Sequence, residues 1–97
     1  MTAIDLRSSP RLARGVRLRR DRISGKLFLL RPETGFELRG SAPEVVKLCT
    51  AKLTVTEIVD QLASAHGEVT RAALAEDVVR LLSELAARGL ILFGDAS

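Results

Sequence analysis

Apolar positions along this chain change their period near residue 40. Before it, Val16-Arg17-Leu18-Arg19 and Phe36-Glu37-Leu38-Arg39 alternate apolar and polar residues, the period of a half-buried strand. Between them, Lys26–Leu30 is apolar nearly throughout, as a central strand would be. Asp21 to Gly25 supplies the first turn, and Arg31-Pro32-Glu33-Thr34-Gly35 splits the two later runs. Pro32 cannot donate to a sheet ladder and so ends its strand. Gly35 can take positive φ and suits a tight hairpin. In the last run Phe36 and Leu38 go to one side, Glu37 and Arg39 to the other.

After Gly40 the period is helical. Ser41-Ala42-Pro43-Glu44 and Thr54-Val55-Thr56-Glu57 both have the form of a capping box, a hydroxyl at the cap and a carboxylate three residues on. Pro43 is tolerable in a first turn, where its missing N–H costs little. Val45, Val46, Leu48 and Cys49 make the apolar side of the first helix; Val55, Ile58, Val59 and Leu62 make that of the second. His66-Gly67 stops the second helix, with Gly67 able to take the left-handed terminal conformation and His66 favoured there by the helix dipole. Thr70 caps the third and longest helix, Arg71 to Arg88, and Gly89 ends it, with Leu90 folding back on Leu85. Leu90-Ile91-Leu92-Phe93 is an apolar tail expected to pack on the core.

The expected fold is therefore α+β and winged helix-turn-helix-like: a three-stranded antiparallel sheet followed by three helices. Residues 15–93 form its single domain. Met1–Arg14 has no sustained period and holds the breaker Ser8-Ser9-Pro10, so residues 1–14 read as a flexible N-terminal arm and 94–97 as a tail.

Two features of this pattern bear on function. The strand Phe36–Arg39 is the last before the helices, so its outer rim is expected to lack a partner, and an unpaired rim templates another extended segment. The third helix carries two apolar stripes: Leu74, Val78, Leu81 and Leu85, and, turned by about 100°, Ala75, Val79, Leu82 and Ala86. Both suit a broadly buried helix. The second, with smaller side chains, also suits the floor of a shallow groove beside Phe36–Arg39, with Asp77 and Arg80 at its margin. A winged-helix peptide binder would then use Phe36, Glu37, Leu38, Arg39, Ala75, Asp77, Val79 and Leu82.

Composition narrows the chemistry. The aromatics are Phe28, Phe36 and Phe93, with no Trp or Tyr, so stacking platforms for bases or sugars are nearly absent. Cys49 and His66 are the only residues of their kinds, and no CxxC, HxxxH or Gly-rich phosphate loop occurs. Cys49 falls on an apolar helix side, which reads as a buried structural thiol. The acidic neighbours Glu76 and Asp77 point apart on a helix. An enzyme, a metal site and a cofactor are not expected. No apolar run reaches the ~18 residues of a membrane span, and the Arg-rich start has no apolar signal core. With a lone cysteine, this places the protein in the cytoplasm.

The net charge of +3 is uneven. Residues 1–40 carry ten basic against four acidic residues, and residues 41–97 five against eight. A basic front half suggests an acidic partner or a polar, mobile arm, and Arg17, Arg19 and Arg20 are the candidates for contact with a partner enzyme. The rival reading of a basic winged helix is a DNA-binding protein. Against it, Arg71, Arg80 and Arg88 of the reading helix are balanced by Glu76, Asp77 and Glu84, and no hairpin follows that helix. A homodimer through the free rim is compatible with peptide binding.

Taken in order, Pro10-Arg11-Leu12, Val16-Arg17-Leu18-Arg19-Arg20-Asp21, Gly25, Leu29-Leu30-Arg31-Pro32-Glu33, Phe36-Glu37-Leu38, Ala42, Thr54-Val55-Thr56-Glu57-Ile58-Val59, Leu62, Asp77-Val78-Val79, Leu82, Leu85, Gly89 and Leu90 resemble the PqqD family. The resemblance covers about residues 10 to 92. It implies a small peptide chaperone of pyrroloquinoline quinone (PQQ) biosynthesis. Such a chaperone binds the ribosomal precursor peptide PqqA and presents it to the radical S-adenosylmethionine enzyme PqqE, which cross-links a Glu and a Tyr of that peptide. It also implies a precursor-peptide recognition element, in which the leader adds as a strand beside the third strand and lies against the third helix. Those elements are Phe36–Arg39 and Arg71–Arg88 here. One departure is Ala51-Lys52-Leu53, where the family often has a Gly before the second helix.

Overall fold

The computed structural model describes residues 4–32 and 34–94. Its elements run β1 (Ser9–Leu12), β2 (Arg17–Arg20), β3 (Leu27–Leu30), β4 (Gly35–Leu38), α1 (Ala42–Lys47), α2 (Val55–Ala65), α3 (Arg71–Ala87) and β5 (Ile91–Gly94). Strands β2, β3 and β4 form the expected antiparallel sheet in that order. Asp21 shapes the first hairpin: its carboxylate accepts from the N–H groups of Ile23 and Ser24 and from the Ser24 hydroxyl, while Gly25 takes a φ of +75°. Gly35 does not have the positive φ expected of it. It is the first residue of β4, and a Cβ there would lie 3.1 Å from Leu30 Cδ2, so what glycine eases here is close packing on the Leu30 side chain rather than a left-handed turn.

The N-terminal segment is not a free arm. β1 pairs antiparallel with β5, Ser9 opposite Gly94 and Leu12 opposite Ile91, as a separate two-stranded sheet. The carbonyls of Leu6 and Ser8 accept from the N–H groups of Thr56 and Val55 at 3.1 and 3.0 Å, and Pro10 accepts from Ala51 at 3.0 Å. The reason lies in orphan backbone groups. The first turn of α2 has N–H donors with no intrahelical acceptor, and the tail after α3 needs a neighbour for its ladder. One extended segment serves both. Met1–Ala3 of the expected arm, 95–97 of the expected tail and Glu33 lie outside the described residues.

The caps divide. Thr54 and Glu57 form the full box: Thr54 Oγ1 accepts from the Glu57 N–H at 3.1 Å, and Glu57 Oε1 from the Thr54 N–H at 2.8 Å. The Ser41–Glu44 box does not form; Ser41 makes no side-chain cap, and Glu44 reaches His66 Nε2 at 2.8 Å instead. His66 ends α2 with φ −125°, and Gly67 takes no positive φ. At the end of α3, the Leu90 N–H donates to Leu85 O and the Gly89 N–H to Ala86 O, the paired bonds of a Schellman motif, with Gly89 at φ +73°. Ala51, in the loop before α2, takes φ +69°, in the left-handed region that favours glycine.

The core joins Leu29 and Leu38 of the sheet to Val45 and Val46 of α1, Val55, Ile58, Val59 and Leu62 of α2, Leu74, Val78, Leu82 and Leu85 of α3, and Leu90 and Ile91. On α3 the two expected stripes exchange one member each. Leu82 is 0% exposed and Leu81 only partly buried. With about 100° per residue, Leu82 projects between the two stripes. The core direction falls there too, so Leu82 sinks while Ala75, Val79 and Ala86 stay half-buried.

Candidate functional site

Backbone alternation decides which groups of β4 face outward. Arg31 and Thr34 exchange hydrogen bonds at the hairpin, at 2.9 and 3.4 Å. In an antiparallel ladder the bonded pairs then recur every second residue. With the observed register, Leu29↔Phe36 and Leu27↔Leu38 are the bonded pairs toward β3. The N–H and C=O of Gly35 and Glu37 therefore point away from the sheet. Among the described residues no strand pairs with that side. The rim expected from the sequence is open.

Among the described residues the sheet has a second open rim on β2, where the same counting leaves the backbone groups of Leu18 and Arg20 facing outward. That rim lies between three exposed arginines, Arg17, Arg19 and Arg20, the kind of edge that charge protects from further pairing. The arginines do not form one patch. Arg17 and Arg19 share the outer face with half-buried Phe28 and Leu30, whereas Arg20 lies on the opposite face and its Nη1 donates to Gly25 O at 3.0 Å.

The expected contact residues separate into three groups. Glu37 stands on the outer face between two cations, 3.7 Å from Lys26 Nζ and 3.2 Å from Arg39 Nε. The Arg39 hydrogen bond, with both positive charges, holds its carboxyl below the ordinary value. Ala75 and Val79 are half-buried on α3, and Asp77 is exposed and paired with Arg80 at 3.4 Å. Leu38 and Leu82 are 4% and 0% exposed, so neither side chain can meet a guest; both belong to the core.

A direct contact between β4 and α3 lies at the C-terminal end of the helix. The Arg88 guanidinium sits 4.9 Å from the centroid of the Phe36 ring. Arg31, at the end of β3, donates from Nη1 to the Arg88 carbonyl at 3.1 Å. Arg31, Thr34, Gly35, Phe36, Arg88 and Leu90 line a cleft of about 270 Å³ beside the open rim. Of these, only Phe36 is among the contact residues the sequence suggests. Pro32 fixes Arg31 at a strand end, and Gly89 fixes Arg88 at a helix end. That the two ends meet is a tertiary fact no local pattern carries.

The chemistry-bearing singletons are occupied structurally. Cys49 is buried, its Sγ donating to Val45 O at 3.3 Å, and burial pushes its thiol up to about 12. His66 is tied to Glu44, with Glu68 at 3.9 Å, and the Glu44 hydrogen bond raises its pKa. Among the described residues no group of three or more His, Cys, Asp or Glu is placed to hold a metal ion, and no helix is long and apolar enough to cross a membrane.

The family described as Coenzyme PQQ synthesis protein D (PqqD) matches residues 26–91. A PqqA binding protein of Gluconobacter oxydans is 38% identical over 79 residues, 81% of each chain. The bifunctional coenzyme PQQ synthesis protein C/D of Methylorubrum extorquens is 36% identical over 90 residues, 93% of this chain and 24% of that protein. Among solved structures, the chain is similar to the solution structure of the PqqD truncation of Methylobacterium extorquens PqqCD. That structure is described as a functional, stand-alone recognition element for ribosomally synthesised and post-translationally modified peptides. It matches with a TM-score of 0.72 and 36% identity, over 86% of this chain and 87% of that one.

Proposed function

The chain belongs to the PqqD family, and on that premise we propose that it is a peptide chaperone of PQQ biosynthesis, binding a PqqA-like precursor peptide as an added strand on β4. The observation that carries this reading is the outward backbone of Gly35 and Glu37 with no described strand beside it. A guest strand satisfies those groups with about four backbone hydrogen bonds, each worth about 1 kcal/mol net. About 4 kcal/mol corresponds to only millimolar affinity. Useful binding therefore draws as much again from side chains, over Phe36 at one end of the rim and the half-buried Ala75 and Val79 with Asp77 on α3.

Presentation of the peptide to a radical S-adenosylmethionine enzyme in the cytoplasm follows as the second half of the proposal. The outer sheet face supports such a contact: Arg17 and Arg19 flank half-buried Phe28 and Leu30, an apolar centre with a cationic border suited to an acidic protein surface. The role is binding and presentation, not catalysis. Pairing of two copies through the same rim would compete with the peptide. DNA binding gains no support: Arg71 of α3 is bound by Asp60, Nε to Oδ1 at 3.1 Å, and Arg80 by Asp77, so carboxylates stand where phosphates would sit.

The test is a ¹⁵N–¹H titration of the labelled chain with synthetic PqqA of Gluconobacter oxydans. Shifts concentrated at Gly35–Arg39 are expected. Shifts confined to β2 or to the N-terminal segment would move the binding site elsewhere.

A further inference from the structure

The cleft at the Gly35 end of the rim is built around two cations. Arg31 spends one N–H on the Arg88 carbonyl, where the helix C-terminus favours positive charge. It packs closely on Gly89, where a Cβ would lie 3.1 Å from Arg31 Nη1. Arg88 Cζ lies 4.9 Å from the centroid of the Phe36 ring, and Arg88 Nη2 reaches Glu84 Oε1 at 3.4 Å. Each guanidinium keeps further donors, and both open onto the same cleft of about 270 Å³. Among the described residues, Glu84 is the carboxylate paired with this couple. Two guanidinium groups lining one cleft are complementary to a carboxylate, which can accept from both in charge-assisted bonds. Gly35 lines the cleft and turns its N–H and C=O outward. A strand added to β4 thus passes the mouth of the cleft at the level of Gly35.

We propose that the Arg31–Arg88 cleft is a carboxylate subsite, taking one Asp or Glu side chain of the peptide strand that adds to β4; this rests on the strand-addition reading above. It sets register as well as affinity. Backbone bonds alone permit a guest to slip by two residues, and a single anchored carboxylate does not. The competing occupant, an apolar side chain against Phe36 and Leu90, is an outcome of the test.

The test uses fluorescence anisotropy with labelled synthetic PqqA of Gluconobacter oxydans and a panel in which each Asp or Glu is replaced singly by Asn or Gln. Wild-type protein is expected to lose roughly tenfold affinity for one panel member. Arg31→Gln and Arg88→Gln are expected to bind the parent peptide roughly tenfold more weakly and to no longer distinguish that member from the parent. Arg88→Lys, which keeps the charge, should fall between. If Arg31→Gln loses its helix-end bond and unfolds, the Arg88 pair carries the comparison. Equal binding of every panel member to wild type, or Arg88→Gln binding like wild type, overturns the subsite and leaves peptide binding intact. Weakening by Arg88→Gln with no sensitive carboxylate assigns the cleft to an apolar side chain. Failure of the parent peptide to bind wild type overturns the strand-addition reading and the subsite together.

Discussion

The ring of Phe36 lies under the guanidinium of Arg88, 4.9 Å from centroid to Cζ, and this contact fastens the second residue of β4 to the C-cap of α3. It joins two segments more than fifty residues apart with no hydrogen bond between their backbones. Phe36→Ala removes both the half-buried ring and the cation–π contact. It is expected to cost about 2 kcal/mol of unfolding free energy, seen as a lower urea midpoint at unchanged slope. Phe36→Leu, which restores apolar bulk without the π face, should recover more than half of the loss. No recovery would assign the contact chiefly to the aromatic face.

The pair of His66 with Glu44 makes stability depend on pH in a definite direction. Glu44 raises the pKa of His66 in the folded chain. The stabilisation is fully present below the unfolded-state value, about 6.5, and is lost as pH rises from there through the raised native value. Thermal melts between pH 5.5 and 8.5, chosen to bracket about 6.5, should show Tm falling across that window. Glu44→Gln should flatten the dependence. A Tm that rises through the window, or the same slope in Glu44→Gln, would contradict the assignment.

Ala51 holds a φ of +69°, a conformation that costs an L-residue roughly 1–2 kcal/mol and costs glycine little. Glycine also loses more freedom on folding, by roughly 0.5–1 kcal/mol. The balance predicts that Ala51→Gly stabilises the chain by about 0.5–1 kcal/mol, read from the urea midpoint, while Ala51→Val destabilises it. The Ala51 N–H bond to Pro10 O should survive in the glycine variant, so the tie of β1 to the loop before α2 is kept.

Which features were legible in the sequence follows from the range of the interactions. The Thr54–Glu57 box and the Gly89 end of α3 are local, and both formed as their residues imply. The open side of β4 was legible because the β2–β3–β4 meander is complete before the helices begin. Ser41 and Glu44 have equally good box spacing, but a tertiary partner, His66, took the carboxylate. Leu82 belongs by spacing to the second stripe, the expected groove floor, but it lies at that stripe's edge nearest the first, and only packing shows which way the core lies. β1 and β5 are separated by almost the whole chain, and the Pro10-containing segment carries no alternation to announce its pairing. The Arg31–Arg88 cleft failed for the same reason: each arginine is placed locally, their meeting is not.

Strand addition on β4 predicts that an outward N–H, not the side chain beside it, carries affinity. Glu37→Pro deletes that N–H without removing a bond to β3, since the Glu37 backbone faces the open side, and proline is tolerated on such an edge. Glu37→Ala removes the carboxylate that pairs with Lys26 and Arg39 and leaves the N–H in place. The decisive measurement is the affinity of both variants, each shown by amide spectra to be folded, for synthetic PqqA of Gluconobacter oxydans. The account predicts binding close to wild type for Glu37→Ala and at least roughly tenfold weaker for Glu37→Pro. Equal affinity of the two variants would contradict it, because a guest indifferent to the Glu37 N–H is not paired with β4.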